Sequence, residues 1–342
     1  MSRRDNGLMT RKPVMADVAR LAGVSHQTVS RVINGSASIR PATRRRVEDA
    51  IAQLGYRPNT AARALVTNRS GIIGIIGTNT GLYGPSSVQR AVEEAAHEAG
   101  YFSSAVPLAS VTHQAIRGAV EHLSRLAVEA IVMIAAQQDA LTLVQSEDFG
   151  VPVIVVEGDL SGAGLTVGVD QVGAARKATQ HLIDLGHTAI AHVSGPPNFP
   201  EAAGRTKGYL DAMLAARLVP HPDWHGDWSA ARGYEIGRQI AAQREITAVF
   251  VANDQMAIGV LHALHEAGVQ VPHDVSVVGF DDIPEAAYLI PALTTIRQEF
   301  AAVGRRAITL VTAQLSGAET DTSLLPADLI VRSSTAPPPT TK

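Results

Sequence analysis

Met15, Val18, Ala19 and Ala22 recur at helical spacing, so residues 14–21 predict a short amphipathic helix. Gly23 follows where a helix turns away through a left-handed residue, and Ser25 offers the hydroxyl that caps a second helix. In that second helix Thr28, Val29, Val32 and Ile33 line one side, and His26, Gln27, Ser30, Arg31 and Asn34 the other. Two short helices joined by a glycine turn make a helix-turn-helix. After a loop at 35–39, a third helix begins at Pro41, buries Val47, Ala50, Ile51 and Leu54, and ends at Gly55.

Residues 56–70 (YRPNTAARALVTNRS) are Ala-rich and flanked by Pro58 and Gly71. A helix of that length is marginal in water, so it is expected to fold only when something holds it. Leu65 has no evident core there. Two readings stand level: a wedge between base steps in a minor groove, or a linker residue packed on the body.

From Gly71 the pattern changes to short apolar runs alternating with amphipathic helices. Segments 72–76, 101–106, 130–134 and 153–156 read as buried strands, with helices at 85–100, 113–126 and 139–149. After a glycine-containing loop the rhythm restarts, with strands at 189–193, 248–252 and 275–279 and helices at 172–185, 202–216, 230–242 and 254–267. This is α/β architecture with parallel sheets, in two rounds that suggest two lobes. Ligands in such sheets bind beyond the carboxyl ends of the strands.

Charge sharpens the division. Up to Arg69 the chain carries 13 Lys and Arg against 4 Asp and Glu, and the remainder carries 16 against 28. A basic head on an acidic body suits a protein whose head meets phosphate and whose body does not. The 342 residues, 46% hydrophobic, leave room for two or three units with a sizeable core. No apolar run approaches a membrane span, the start lacks the apolar region of a signal peptide, and no cysteine is present. A cytoplasmic protein is expected.

The exposed side of the second helix can read base edges. Gln bonds adenine bidentately and Arg does so with guanine, which makes His26, Gln27 and Arg31 the candidate readers. A solvated helix face is the competing account. Arg44, Arg45 and Arg46 lie on or near the outside of the third helix and suit phosphate contact.

Other chemistry fails on inspection. GIIGIIG at 71–77 is not a dinucleotide loop, because its spacing is wrong and it lies within an apolar run. His262, His265 and Glu266 match neither zincin order and read as helix surface. Asp281 and Asp282 have no second carboxylate cluster to complete a metal site. With no phosphate loop and no nucleophile elbow, the chain is not expected to be an enzyme, and no metal or cofactor is expected.

The head (KPVMADVARLAGVSHQTVSRVING, then RVEDAIAQLGYRPNTAARAL) resembles the LacI/GalR family of bacterial transcription regulators. The body resembles that family's periplasmic-binding-protein-like core through LGHTAIAHVSGP, VANDQMAIGVL, DVSVVGFDD and LTTIRQEF. The likeness covers about residues 12–337. It implies a flexible basic tail (1–11), a helix-turn-helix DNA-binding domain (12–57) and a hinge helix with linker (58–70). An effector-binding and dimerisation core (71–336) follows, and then a disordered tail (337–342). Within the core the N-lobe would take about 71–169 and 299–328, and the C-lobe about 170–298 and 329–336.

The resemblance further implies a homodimer that represses transcription by binding a near-palindromic double-stranded operator and is released by a small sugar effector, a galactoside or related glycoside. His26, Gln27 and Arg31 match the family's base-reading positions, and Ser25, Thr28, Asn34, Arg44 and Arg45 its phosphate contacts. Leu65 matches the minor-groove wedge, which favours the first of its two readings. Arg205, Asn253 and Asp281 match hydroxyl-binding positions and Trp228 the stacking aromatic, although Asn253 and Asp281 also read as cap and turn residues and Trp228 as core. Gln298 and Phe300 are expected on a crossover strand between lobes, and Leu82, Pro85 and Val88 on the near wall. Glu157, Glu201 and Val169 depart from the family's sugar pattern, which has aspartate, serine and phenylalanine there. A leucine-heptad tail known in the family has no counterpart, so a dimer is expected. The alternative is a corepressor-type regulator whose DNA binding is strengthened by a purine or phosphorylated metabolite.

Overall fold

The computed structural model describes residues 13–33, 36, 38–56, 69–78, 81–109, 112–134, 149–156, 165–318 and 323–339. The chain forms two units, Met1–Ser70 and Gly71–Lys342. The expected helix at 139–149 and most of the expected hinge at 58–70 lie outside the described residues, as do Asn34, Leu65 and Glu157.

The first unit holds three helices, α1 (Met15–Ala22), α2 (His26–Ile33) and α3 (Pro41–Leu54). Asp17 accepts from the Val14 amide at 3.0 Å and closes the start of α1. Gly23 ends it with φ of 63°, a conformation that costs glycine nothing. The chain then restarts at Ser25, whose hydroxyl accepts from the Thr28 amide at 3.1 Å. Val18, Val29 and Val47, one from each helix, are fully buried together with Ala22, Ala50 and Tyr56. Each buried valine contributes about 1.5–3 kcal/mol, so this small core stands on few side chains.

The second unit contains two parallel sheets built to the same plan. The first takes β1 (Ile72–Thr78), β2 (Phe102–Leu108), β3 (Ala130–Ile134), β4 (Val153–Val156) and β5 (Leu165–Val167) in the order β2-β1-β3-β4-β5. The second takes β6 (Ile190–Ser194), β7 (Trp224–His225), β8 (Ala248–Val251), β9 (Ser276–Asp281), β10 (Thr294–Arg297) and β11 (Asp328–Ile330). Its order, β7-β6-β8-β9-β10-β11, repeats the first and adds an antiparallel edge strand. The helices are α4 (Tyr83–Glu98), α5 (His113–Arg125), α6 (Gln171–Asp184), α7 (Pro200–Ala215), α8 (Ala230–Ala241), α9 (Asp254–Glu266) and α10 (Phe300–Ser316). Strands buried on both faces, such as β3 and β8, read as unbroken apolar runs in the sequence for that reason.

Two expectations need correction, and several elements escaped the sequence pattern. The segment at 101–106 is not a buried strand: β2 is an edge strand whose alternate residues face out, with Phe102 exposed. Phe300 does not lie on a crossover strand but begins α10, and Gln298 follows the end of β10. Strands β5, β7 and β11 escaped the pattern, since two or three residues are too few for periodicity to register; β10, whose TTIR holds one apolar residue, and helix α10 were not anticipated either.

Buried polar and glycine contacts fix the helices of the second lobe. Helix α7 is held to β6 by Tyr209, whose hydroxyl donates to the Ile190 carbonyl at 2.8 Å, and by His192, stacked between Tyr209 and Phe250. Burial holds the His192 pKa below its ordinary value, so the ring stays neutral. Helices α8 and α9 meet with no side chain between them at Gly233 and Gly259. A Cβ at Gly259 would stand 2.0 Å from the Ala230 carbonyl oxygen, and one at Gly233 2.2 Å from that of Met256.

Candidate functional site

The first unit presents an outward face on α2. His26, Gln27 and Arg31 are exposed, while Val29 and Val32 anchor the helix from below. Ser25 is spent as a cap and also bonds the Thr28 hydroxyl at 2.9 Å. Arg45 and Arg46 are exposed on α3. Arg44 is half-buried, with one guanidinium nitrogen donating to the Ser36 carbonyl at 2.8 Å, so it also braces the loop before α3. Rigidly mounted donors on one helix, with arginines on another, fit the requirements of base reading and phosphate contact.

The second unit holds a cavity of about 440 Å³, mouth included, beyond the carboxyl ends of the strands. Among the described residues its walls include Leu82, Tyr83 and Pro85 from the first lobe, and Phe199, Glu201, Arg205, Trp228, Asn253, Asp281 and Gln298 from the second.

The polar floor is a closed ring of four side chains. Arg205 Nε donates to Gln171 Oε1 at 2.8 Å, Gln171 Nε2 donates to Gln298 Oε1 at 3.0 Å, and Gln298 Nε2 donates to Asp281 Oδ1 at 2.7 Å. Asp281 completes the circuit 3.7 Å from Arg205. Arg205 also donates to the Ala252 carbonyl, and its guanidinium lies 3.8 Å above the Phe280 ring. Burial pushes the Asp281 carboxyl up to about 6, against the pull of Arg205 and Gln298. Each member is oriented by its neighbours, as a site that reads hydroxyl directions requires.

Trp228 forms an apolar wall. Its ring meets Phe199 edge-on at 5.7 Å and lies against Gly195, where a Cβ would fall 2.1 Å from the indole. Trp228, Asp281 and Asp282 all carry positive φ, at 72°, 114° and 54°. Such strain costs on the order of 1–3 kcal/mol per residue and collects where function fixes the backbone. Asn253 caps α9 by accepting from the Met256 amide at 3.0 Å, and its Nδ2 holds the Trp228 carbonyl at 3.1 Å. Its cap reading is thus what the structure displays, and through that cap it steadies the tryptophan.

Two expected contacts lie elsewhere. Val88 is fully buried in the core under α4, and Val169 is buried beside Leu325; neither lines the cavity. Phe300 is half-buried behind the wall, its ring 5.8 Å from that of Tyr83. Sequence reasoning missed Tyr83, Phe199 and Gln171. The aromatics stand in the LYGP and NFPE turns after β1 and β6, a detectable signal; Gln171, at the start of α6, carries none.

Glu201 is the unusual member. It is 7% exposed, and neither carboxyl oxygen has a hydrogen-bond partner among the described residues. Trp228 Nε1 is likewise unpartnered. Burial pushes Glu201 up to about 7, opposed by its own backbone amide and by Arg205.

An outward helix-turn-helix in one unit, and a strand-end cavity between paired lobes in the other, define a DNA-binding regulator with a ligand-holding core. Residues 14–59 match the model of the bacterial regulatory proteins of the lacI family, and residues 179–335 that of the periplasmic binding protein-like domain. The chain is 33% identical over 337 residues to the lactose operon repressor of Escherichia coli (strain K12), across 96% of this chain and 92% of that protein. It is 33% identical over 309 residues to the PurR repressor of Haemophilus influenzae (strain ATCC 51907 / DSM 11121 / KW20 / Rd), across 88% of this chain and 90% of that one. A lac repressor dimer bound to operator and the anti-inducer ONPF superposes with a TM-score of 0.85 at 31% identity, over 95% of this chain and 100% of that one. A complex of the regulator CelR with cellobiose gives 0.70 at 30% identity, over 94% and 99%.

The chain belongs to the LacI family of bacterial regulators, and it is a DNA-binding transcriptional repressor of that family. Its relatives are regulators, not enzymes. Among the described residues no helix is long and apolar enough to cross a membrane.

Proposed function

We propose that this repressor binds a near-palindromic operator as a homodimer and is released by a small neutral sugar held in the strand-end cavity. His26, Gln27 and Arg31 are the base readers in this scheme. Ser25, Thr28, Asn34, Arg44 and Arg45 meet phosphate, and Leu65 enters the minor groove. The observation that carries the sugar reading is the cavity floor. Arg205, Asp281 and Gln298 are fixed by one another beside the Trp228 ring, which suits hydroxyls in set directions around an apolar ring face. The CelR complex with cellobiose, at 30% identity, supports the same class of ligand.

A sugar shifts the repressor only by its difference in affinity for the DNA-competent and released states. Sugar and operator therefore weaken each other reciprocally, by about 5–150-fold for a typical coupling of 1–3 kcal/mol. Titrating operator DNA with and without glycosides tests this; equal affinity throughout overturns it. The likeness to PurR, also at 33%, keeps a second reading, a corepressor-type regulator whose DNA binding is strengthened by a purine or phosphorylated metabolite, and adding purines and sugar phosphates to the same titration separates the two by sign.

A further inference from the structure

Trp228 Nε1 and both carboxyl oxygens of Glu201, all in the cavity wall, are buried polar atoms without a partner among the described residues. A buried donor or acceptor left unpaired is expensive, so such atoms describe the polarity of what completes them. When Glu201 is ionised, its two adjacent acceptors ask for two adjacent donors, and the indole N–H asks for an acceptor. The remaining polar side chains of the floor already satisfy one another in the ring of Arg205, Gln171, Gln298 and Asp281. What is missing is therefore a partner for Glu201 and Trp228 Nε1.

We propose that Glu201 is a specificity-determining residue that takes hydrogen bonds from two neighbouring hydroxyls of the effector, a vicinal diol, while Trp228 Nε1 donates to a further sugar oxygen. This rests on the sugar reading above and adds which part of the sugar is read. A hydroxyl both donates and accepts, so one polyol edge meets both demands; a phosphate or carboxylate there would face the ionised Glu201 with acceptors only. The charged group acting on Glu201 is Arg205 on its own helix; Asp281 at the end of β9 and Tyr83 on α4 are the other ionisable groups lining the cavity. Arg205 is shared with Asp281, which leaves the Glu201 carboxyl to the ligand.

Calorimetric titration of the full chain tests this, using methyl galactoside, methyl glucoside, their monodeoxy derivatives at each ring hydroxyl, and guanine. At a pH above 8, where Glu201 is ionised, removing either of two adjacent hydroxyls from the ligand of the unaltered protein is expected to weaken binding by about tenfold or more, as for hydrogen bonds to a charged group. In Glu201→Gln the penalty at those two positions falls to about threefold or less, while penalties at the other positions persist. Glu201→Ser, a smaller and uncharged side chain at the same site, gives the same pattern and guards against a folding defect in the first variant. Identical deoxy profiles in all three proteins overturn the role of Glu201 and leave the sugar reading intact. Binding of guanine with no glycoside bound overturns both.

Discussion

Arg205 and Asp281 stand 3.7 Å apart with both side chains almost wholly out of water. The pair joins α7 to the end of β9, and the two glutamines Gln171 and Gln298 close it into a ring. Its members come from four places in the chain, so the ring reports on the packing of the whole second lobe.

Asp281→Asn keeps the shape, and asparagine tolerates the positive φ at this position. The charge is lost beside a buried guanidinium. Stability is expected to fall by about 1.5–3 kcal/mol, as for loss of a charged hydrogen-bond partner, with a matching loss of effector affinity. Urea denaturation and calorimetry read the two effects; an unchanged midpoint would contradict the ring as described.

Arg31 and Arg45 differ in what their loss does. Arg31→Ala is expected to relax preference at one base pair per half-site, costing about 1–3 kcal/mol there. Arg45→Ala weakens binding to all sequences alike and reduces the salt slope by about 1. Competition binding across operator variants at two salt concentrations distinguishes them, and an intact sequence preference in Arg31→Ala would remove it from the readers.

Gly195 is a test of Trp228 that leaves the tryptophan in place. Its Cβ would fall 2.1 Å from the indole, so Gly195→Ala displaces the ring from its seat. Effector response is expected to drop toward that of Trp228→Ala, with operator binding retained in both. Normal induction in Gly195→Ala would mean that the position of the ring does not matter.

Asp254 gives a pH dependence. Burial and then the nearby Asp281 push its carboxyl up to about 8, against hydrogen bonds from Thr295 and Ile283. The Thr295 hydroxyl, 2.6 Å away, can accept from the protonated acid instead of donating to it. The folded chain thus keeps a proton that an unfolded aspartate, titrating near 4, has given up. That contribution is full below about pH 4 and is lost as pH rises toward 8, at no more than about 1.4 kcal/mol per pH unit. Buried His187 and His192, with lowered pKa values, act in the opposite sense only below about pH 6.5. Between pH 7 and 8.5 stability should therefore fall, and Asp254→Asn should flatten the slope. Denaturant midpoints across that window decide it; a rise would refute the assignment.

Much of this was legible in the sequence, for reasons that differ by element. The helix-turn-helix could be read because Val18, Val29 and Val47 must face one another in so small a core, which leaves His26, Gln27 and Arg31 only the outside. The doubly buried strands announced themselves as apolar runs. Edge strand β2 was misjudged because its apolar residues are distributed over a half-exposed ribbon. At the cavity, Arg205, Asp281 and Trp228 were found through resemblance, whereas Val88 and Val169 were misplaced because position in a motif does not reveal which way a side chain turns. Gln171 was invisible, since its role exists only once Arg205 and Gln298 converge on it from distant segments.

Helices α8 and α9 carry a warning for any survey of tolerated substitutions. Gly233 and Gly259 admit no methyl group, so nearly every replacement there would abolish the effector response as completely as a change in the cavity wall. The two kinds of lost response part company in the amount of protein made. A cavity variant should accumulate and sit permanently on DNA, while a variant at the helix seam should vanish from the cell and leave its promoter open.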